Sequence, residues 1–507
     1  MARAHLSVGA DFTAGEVPPR LFGSFVEHMG RGVYTGIFEP GHPTADERGF
    51  RGDVLDRVRE IGPTVVRYPG GNYVSGHDWR DGIGPVADRP RRLDLAWRTI
   101  ETNEFGLHEF VHWTRAAGAE PMMAVNLGTR GVQEALDLVE YANHPGGTAW
   151  SDLRRKNGDD DPFGIRLWCL GNEMDGPWQV GHKTAAEYGR LAAEAGRAMR
   201  LVDPSIELVA CGSSHSSMPT FGDWERTVLE LAYDQVDYIS AHTYYEETDD
   251  PGEFLAKAVD MDSYIRSVVA TADAVRARGR HRRRIHVSFD EWNVWYQSRH
   301  RSGGIHQQTD DWAVAPRVIE DEYSVTDAVV VGTMLHALLR HGERVRIACQ
   351  AQLVNVIGMV RSEPGGAAWT QTVAHPFRVM REHARGQILD VRARGDHYDA
   401  GRLGDAPVVD SAGTWDPDGG TLALFLANRD LTEPAEVRIA LHGFGELRPG
   451  RAEVLATGPG QDRHTTNNEA APEAVGMRPL DGVRVEGDEV SVTLPPLSWA
   501  VVPLHVI

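Results

Sequence analysis

Two glutamates stand where a carboxylate needs a reason. Glu173 follows the apolar Trp168, Cys169 and Leu170 in "WCLGNEMDGPW", and Glu291 closes the run "RIHVSFDEW" just before Trp292. Apolar, β-branched runs of this length read as buried strands, so a charged group at the end of one requires a partner or a task. Other runs of the same kind end in Glu27, Asn72, Asn172, His242, Tyr244, Gln352 and Asn355. No basic side chain stands at these ends, no Walker pattern or dinucleotide fingerprint occurs, and a single histidine among amides is a poor metal donor set. Amides and phenols hydrogen-bond hydroxyl groups while aromatic faces cover sugar rings, so the set fits a neutral polyol. Cleaving a glycosidic bond takes one protonated acid for the leaving oxygen and one ionised carboxylate facing the anomeric carbon. Singly, Glu173 reads equally well as a helix cap and Glu291 as the partner of an arginine. Together, at two strand ends, they point to glycoside hydrolysis.

The elements that must position these residues follow a single rhythm. Eight runs, beginning at Leu21, Thr64, Glu120, Ile165, Ile206, Val236, Arg284 and Ile347, each read as a short strand ending in polar residues or glycine. Between them lie amphipathic stretches such as "GFRGDVLDRVREIG" and "TAAEYGRLAAEAGRAMRLVD", with apolar residues at helical spacing. Strands alternating with helices imply parallel strands joined by right-handed crossovers, and eight such units imply a closed (β/α)8 barrel. In that fold the site is built at the C-terminal ends of the strands, which is where the polar residues fall. Past residue 384 the pattern becomes short alternating strands punctuated by Gly, Pro, Asp and Asn, as in "TLALFLANRD" and "AEVRIALHGF". This predicts an antiparallel β-sandwich of jelly-roll type. The segment "HLSVGADFT" has no place in the barrel and is assigned to the sandwich, giving residues 1–17 and 384–507 to that domain and 18–383 to the barrel.

Composition narrows the partners. With 41% apolar and 25% charged residues the chain reads as a soluble globular protein, and its formal charge of −21 argues against a phosphate backbone as ligand. The basic run "RARGRHRRR" (Arg276 to Arg284) reads as the solvated end of a helix. No apolar run of signal-peptide or membrane-spanning length occurs, no glycosylation sequon is present, and the three cysteines, without CxxC spacing, read as buried thiols. A cytoplasmic location is expected, with neither nucleic acid nor membrane as partner.

The segments "LFGSFVEHMGRGVYTGIFEP", "VRYPGGNYVSGHDWRDGIGP", "ETNEFGLHEF", "LGNEMDGPWQVGHK", "YISAHTYY", "FDEWNVWY" and "AQLVNVIG" resemble, in order, the α-L-arabinofuranosidases of glycoside hydrolase family 51. The resemblance spans nearly the whole barrel, and the sandwich matches the family's C-terminal domain. It implies that Glu173 is the acid/base and Glu291 the nucleophile of a retaining, exo-acting hydrolase of terminal α-L-arabinofuranosyl units. Glu27, Asn72, Asn172, Tyr244 and Gln352 are then expected to hold the sugar, with Trp97, Trp178 and Trp295 lining the site. His242 is counted with the substrate-binding residues, where it is expected to orient Glu291 or else to fill a satisfied polar layer of the barrel. Asp290, pointing away from Glu291 by strand alternation, is assigned to supporting structure. Gly71, where relatives often carry another small residue, is expected to loosen the pocket. The substrate is expected to be an oligosaccharide derived from arabinan or arabinoxylan, no metal or organic cofactor is implied, and the resemblance suggests a hexamer. An endo-glucanase or β-xylosidase on the same scaffold, or a non-catalytic sugar-binding protein, remain the competing readings.

Overall fold

The computed structural model describes residues 1–301 and 312–507. Eight strands close a barrel: β1 (Arg20–Phe25), β2 (Val65–Tyr68), β3 (Glu120–Ala124), β4 (Leu167–Leu170), β5 (Glu207–Ala210), β6 (Tyr238–Tyr245), β7 (His286–Val294) and β8 (Val345–Gln350). Each pairs in parallel with its sequence neighbours, and β8 returns to pair with β1, as the run-by-run reading predicts. The strands are buried almost throughout because side chains fill the barrel on one face and helices cover the other.

The covering helices form for local reasons that also fix their ends. The helix Gly52–Ile61 buries Val54, Leu55, Val58 and Ile61, one stripe at helical spacing, and stops at Gly62, which takes φ 69° and donates its N–H to the Val58 carbonyl. Burying each such aliphatic side chain contributes about 1.5–3 kcal/mol. The helix Ala185–Val202 is started by Thr184 and Glu187, which satisfy each other's backbone N–H groups. Its buried Tyr188 donates to the Leu170 carbonyl at 2.8 Å, tying the helix to the end of β4 just before Glu173. The basic run falls at the end of the helix Lys257–Gly279, where Arg278 pairs with Glu230 at the surface.

The second layer system consists of two sheets enclosing their own apolar core. Strand Ala2–Gly9 lies in the smaller sheet, antiparallel to Arg392–Gly395 but parallel to Ala435–His442. One parallel pairing therefore interrupts an otherwise antiparallel domain, since the N-terminal strand arrives from outside the meander and is not constrained by a hairpin. Thr13–Glu16 pairs with Gln387–Leu389 in the larger sheet. That sheet packs on the buried helix Val325–Arg340, where Trp499 donates to His336 and Asp410 receives His336, Arg340 and Arg429. A Cβ on Gly332 would lie 2.3 Å from the Trp499 ring, so glycine is what permits this approach. No helix among the described residues is long and apolar enough to cross a membrane.

Candidate active site

The strand ends converge on a cavity of about 730 Å³ lined by Glu27, Asn72, Trp97, Glu173, Trp178, Tyr244, Glu291, Trp295 and Gln352, among others. Asn172 and His242 are buried and bond to the lining residues. Trp292 is a core residue, and Asn355 holds the loop after β8 by donating to the Arg31 carbonyl at 2.9 Å. Both therefore act as structure.

Glu173 ends the short turn after β4 with a left-handed backbone (φ 42°), a conformation that a non-glycine residue adopts at a cost. Its Oε1 receives His242 Nδ1 at 2.9 Å and its Oε2 receives Trp178 Nε1 at 2.7 Å. Burial is the main force on its proton affinity and raises its pKa; the bond from His242 opposes, the charge on Glu291 adds, and the net shift is upward.

Glu291, on β7, is held from two sides. Tyr244 donates to Oε2 at 2.7 Å and Arg67 to Oε1 at 2.7 Å. Arg67 also donates to Asn172 at 2.7 Å, so one guanidinium sets both the carboxylate and the neighbouring amide. Among the atoms of Glu173, His242 and Glu291 a set of three lies mutually within 4.8 Å, which places one oxygen of each carboxylate within that distance.

His242 departs from its expected role. It hydrogen-bonds Glu173, while Glu291 Oε2 lies at 3.8 Å, and its Nε2 faces Asp290 at 2.8 Å. Burial alone would depress the imidazole, but Glu291, Asp290 and Glu173 more than offset it, and the pKa rises to about 10. Both ring nitrogens thus face carboxylate oxygens, the geometry of an imidazolium donating twice rather than of a metal ligand with a lone pair to offer. Asp290 reaches His242 because the β7 register against β8 slips between Phe289 and Trp292, breaking the strict alternation. Asp290 and Glu291 consequently approach opposite edges of one ring.

At the other end of the cavity Glu27 receives the Tyr73 N–H at 2.9 Å and Trp97 Nε1 at 2.8 Å on the same oxygen, and Gln352 donates at 3.3 Å to the other. Burial pushes the Glu27 pKa up to about 8, against those N–H bonds. Gly71 does not loosen this end: a Cβ there would lie 2.2 Å from Glu27 Oε2, so the absent side chain is what leaves Glu27 its place. Trp295 stands edge-on to Tyr244 at 5.0 Å, and Trp97 is buried, whereas Trp178 is 41% exposed at the outer rim.

The residue most clearly missed at the sequence level is Arg67. It lies inside β2 rather than at its end, within "TVVRYPGGN", and a strand-end census passes over it. The signal was available, because an arginine in a buried parallel strand is tolerable only with a carboxylate beside it. Arg67→Met would leave Glu291 without its guanidinium partner, with the His242 imidazolium as the cation that Asp290 and Glu291 still share. Loss of about 3–5 kcal/mol is expected, read as a lower urea midpoint for the barrel. Gln179 was missed as well; it accepts from Asn172 at 3.4 Å and carries no sequence signal of its own.

The comparisons agree with this geometry. The chain matches the family models described as the alpha-L-arabinofuranosidase 1 domain, over residues 57–266, and the alpha-L-arabinofuranosidase C-terminal domain, over residues 290–498. It is 55% identical over 502 residues to the intracellular exo-α-(1→5)-L-arabinofuranosidase of Streptomyces lividans, covering 98% of this chain and 75% of that one. Against the enzyme of the same name from Halalkalibacterium halodurans, identity is 49% and each chain is covered to 99%. A solved structure of a family 51 α-L-arabinofuranosidase from Bifidobacterium longum superposes with a TM-score of 0.94 at 46% identity, covering 99% of both chains. With two carboxylates at the mouth of the barrel and likeness over its full length, the chain belongs to glycoside hydrolase family 51 and is an α-L-arabinofuranosidase.

Proposed function

We propose that the protein releases terminal non-reducing α-L-arabinofuranosyl units from short arabinan- or arabinoxylan-derived oligosaccharides, with retention of configuration. The observation that carries the mechanism is the spacing of the two carboxylates, whose nearer oxygens lie within 4.8 Å. Retaining enzymes place the two groups about 5–5.5 Å apart, whereas inverting ones leave about 6.5–9.5 Å for a water. The Glu291 carboxylate, fixed by Arg67 and Tyr244, attacks the anomeric carbon as Glu173 delivers its proton to the departing oxygen. Bond formation discharges Glu291, which lowers the proton affinity of Glu173 and fits it to take a proton from the water that hydrolyses the glycosyl-enzyme. Glu27, Asn72, Asn172, Tyr244 and Gln352 hold the sugar, and Trp97, Trp178 and Trp295 wall it. Following hydrolysis of 4-nitrophenyl α-L-arabinofuranoside by proton NMR tests the reading: the α-anomer must appear first, and initial release of the β-anomer would overturn retention.

Two further outcomes follow from the neighbours of these groups. The hydrogen bond and positive charge of His242 favour ionised Glu173, so removing them raises the Glu173 pKa further. In His242→Ala the alkaline limb of kcat/KM, where the acid loses its proton, is therefore expected to move to higher pH. Gly71→Ala would displace Glu27 from the sugar, and kcat/KM on the same substrate is expected to fall about tenfold or more. Relatives named as intracellular support action inside the cell. The family resemblance supports a hexamer, for which sedimentation velocity is the measurement.

A further inference from the structure

The cavity continues past the carboxylates to a wall that the barrel shares with a segment following it in the chain. Its outer lining includes Lys257, at the start of the helix after β6, together with Arg402 and Leu403. The latter two sit in the turn Gly401–Leu403 of a hairpin formed by His397–Asp399 and Asp405–Pro407, which follows the barrel in the chain. Several contacts fix this turn against the barrel. Tyr398 donates to the Gly252 carbonyl at 2.9 Å, and Ala400 and Ala406 pack on Ala256. Gly401 (φ 60°) passes so close that a Cβ would lie 3.3 Å from Glu253 Oε2.

The chemistry of this wall suits hydroxyl groups. Lys257 and Arg402 share Glu253, at 2.7 and 2.8 Å, which neutralises part of their charge and holds both donors in place. Arg402 uses Nε and Nη2 for that contact, and its side chain is 81% exposed. Glu246 and Asp260 also line this part, so a carboxylate-bearing ligand would meet like charge. Trp178, which donates to Glu173 and stands at the rim, lies on the side from which the leaving oxygen receives its proton. Tyr73, Trp97 and Gln352 bond Glu27 at one end of the cavity, and Arg402, which lines the same cavity, bonds Glu253 instead, so the part of a ligand beyond the leaving oxygen is the part assigned to it.

We infer that the turn Gly401–Leu403 and Lys257 form a distal leaving-group subsite that binds the second sugar unit beyond the scissile bond of a neutral oligosaccharide. This rests on Glu173 being the acid. The second domain then reads the length of the leaving group, through a hairpin clamped to the barrel rather than through a barrel loop.

The test compares wild type with Arg402→Ala/Leu403→Ala on three substrates: the 4-nitrophenyl arabinofuranoside, α-1,5-linked arabinobiose and α-1,5-linked arabinotriose. Only the trisaccharide has a second unit beyond the bond. Its kcat/KM is expected to fall about fivefold, chiefly through KM, with the other two substrates unchanged. Leu403→Trp, which adds bulk without removing donors, should raise KM for the trisaccharide alone. Equal losses on biose and triose, or no loss on triose, would overturn the subsite. Inactivity of wild type on all three would instead refute the proposed function.

Discussion

Glu291→Ala is expected to lower kcat on every arabinofuranoside by at least about 10⁴-fold, including those with the best leaving groups. The reason is that Glu291 is the carboxylate held beside Glu173 at the strand ends, fixed from two sides. Tyr244 and Arg67 each bond one of its oxygens, and the position is set by strands β2, β6 and β7 together. Deleting the carboxylate removes the bond-forming atom, and improving the leaving group cannot restore it. Added azide should occupy the vacated space and attack the anomeric carbon once, giving the β-configured glycosyl azide, identified by NMR. An α-configured azide from this variant would place the nucleophile elsewhere. Because the variant relieves Arg67 of one partner, its folding must be confirmed by circular dichroism alongside the rates.

Glu173→Ala should separate substrates rather than silence them all. An aryl leaving group of low pKa departs without a proton, so loss on an activated aryl arabinofuranoside is expected to be about 10–10²-fold in kcat/KM, against at least about 10³-fold on an α-1,5-linked oligosaccharide. Formation of the glycosyl-enzyme would proceed for the aryl substrate, and its hydrolysis, now without a base, would become the slow step. A burst of nitrophenol and a lowered KM would report that accumulation. Azide would here trap the glycosyl-enzyme from the opposite face and yield the α-configured product. Equal losses on both substrate classes would mean that Glu173 does not deliver the proton. The contrast with Glu291 is the sharper because the two carboxylates are neighbours in space yet differ in environment. Glu173 is raised by burial and by the adjacent negative charge, while Glu291 sits against a guanidinium.

Much of this was legible in the chain. Eight apolar runs with polar ends dictate strands, because β-branched residues in short runs bury well on both faces of a parallel sheet, and the intervening helical stripes dictate what covers them. The carboxylates at the ends of β4 and β7 could be named before any coordinates, since a barrel's loops and strand ends are the one place where a buried strand meets a ligand. Asn72, Tyr244 and Gln352 fell into place for the same reason, and all three line the cavity.

What the sequence by itself determined, then, was periodicity and strand-end identity, because both depend on neighbours along the chain. Tertiary structure alone decided the rest. That Arg67 serves Glu291 follows from closing β2 and β7 across the barrel mouth, over 224 residues of chain. That His242 bonds Glu173 and Asp290 depends on a register slip in β7, which no alternation rule foretells. Gly71 reads as slack until Glu27 is seen 2.2 Å from where its Cβ would be. Charges, hydrogen bonds and excluded volume act through space over a few ångströms, and the residues that meet there are set by how the barrel closes rather than by their order in the chain.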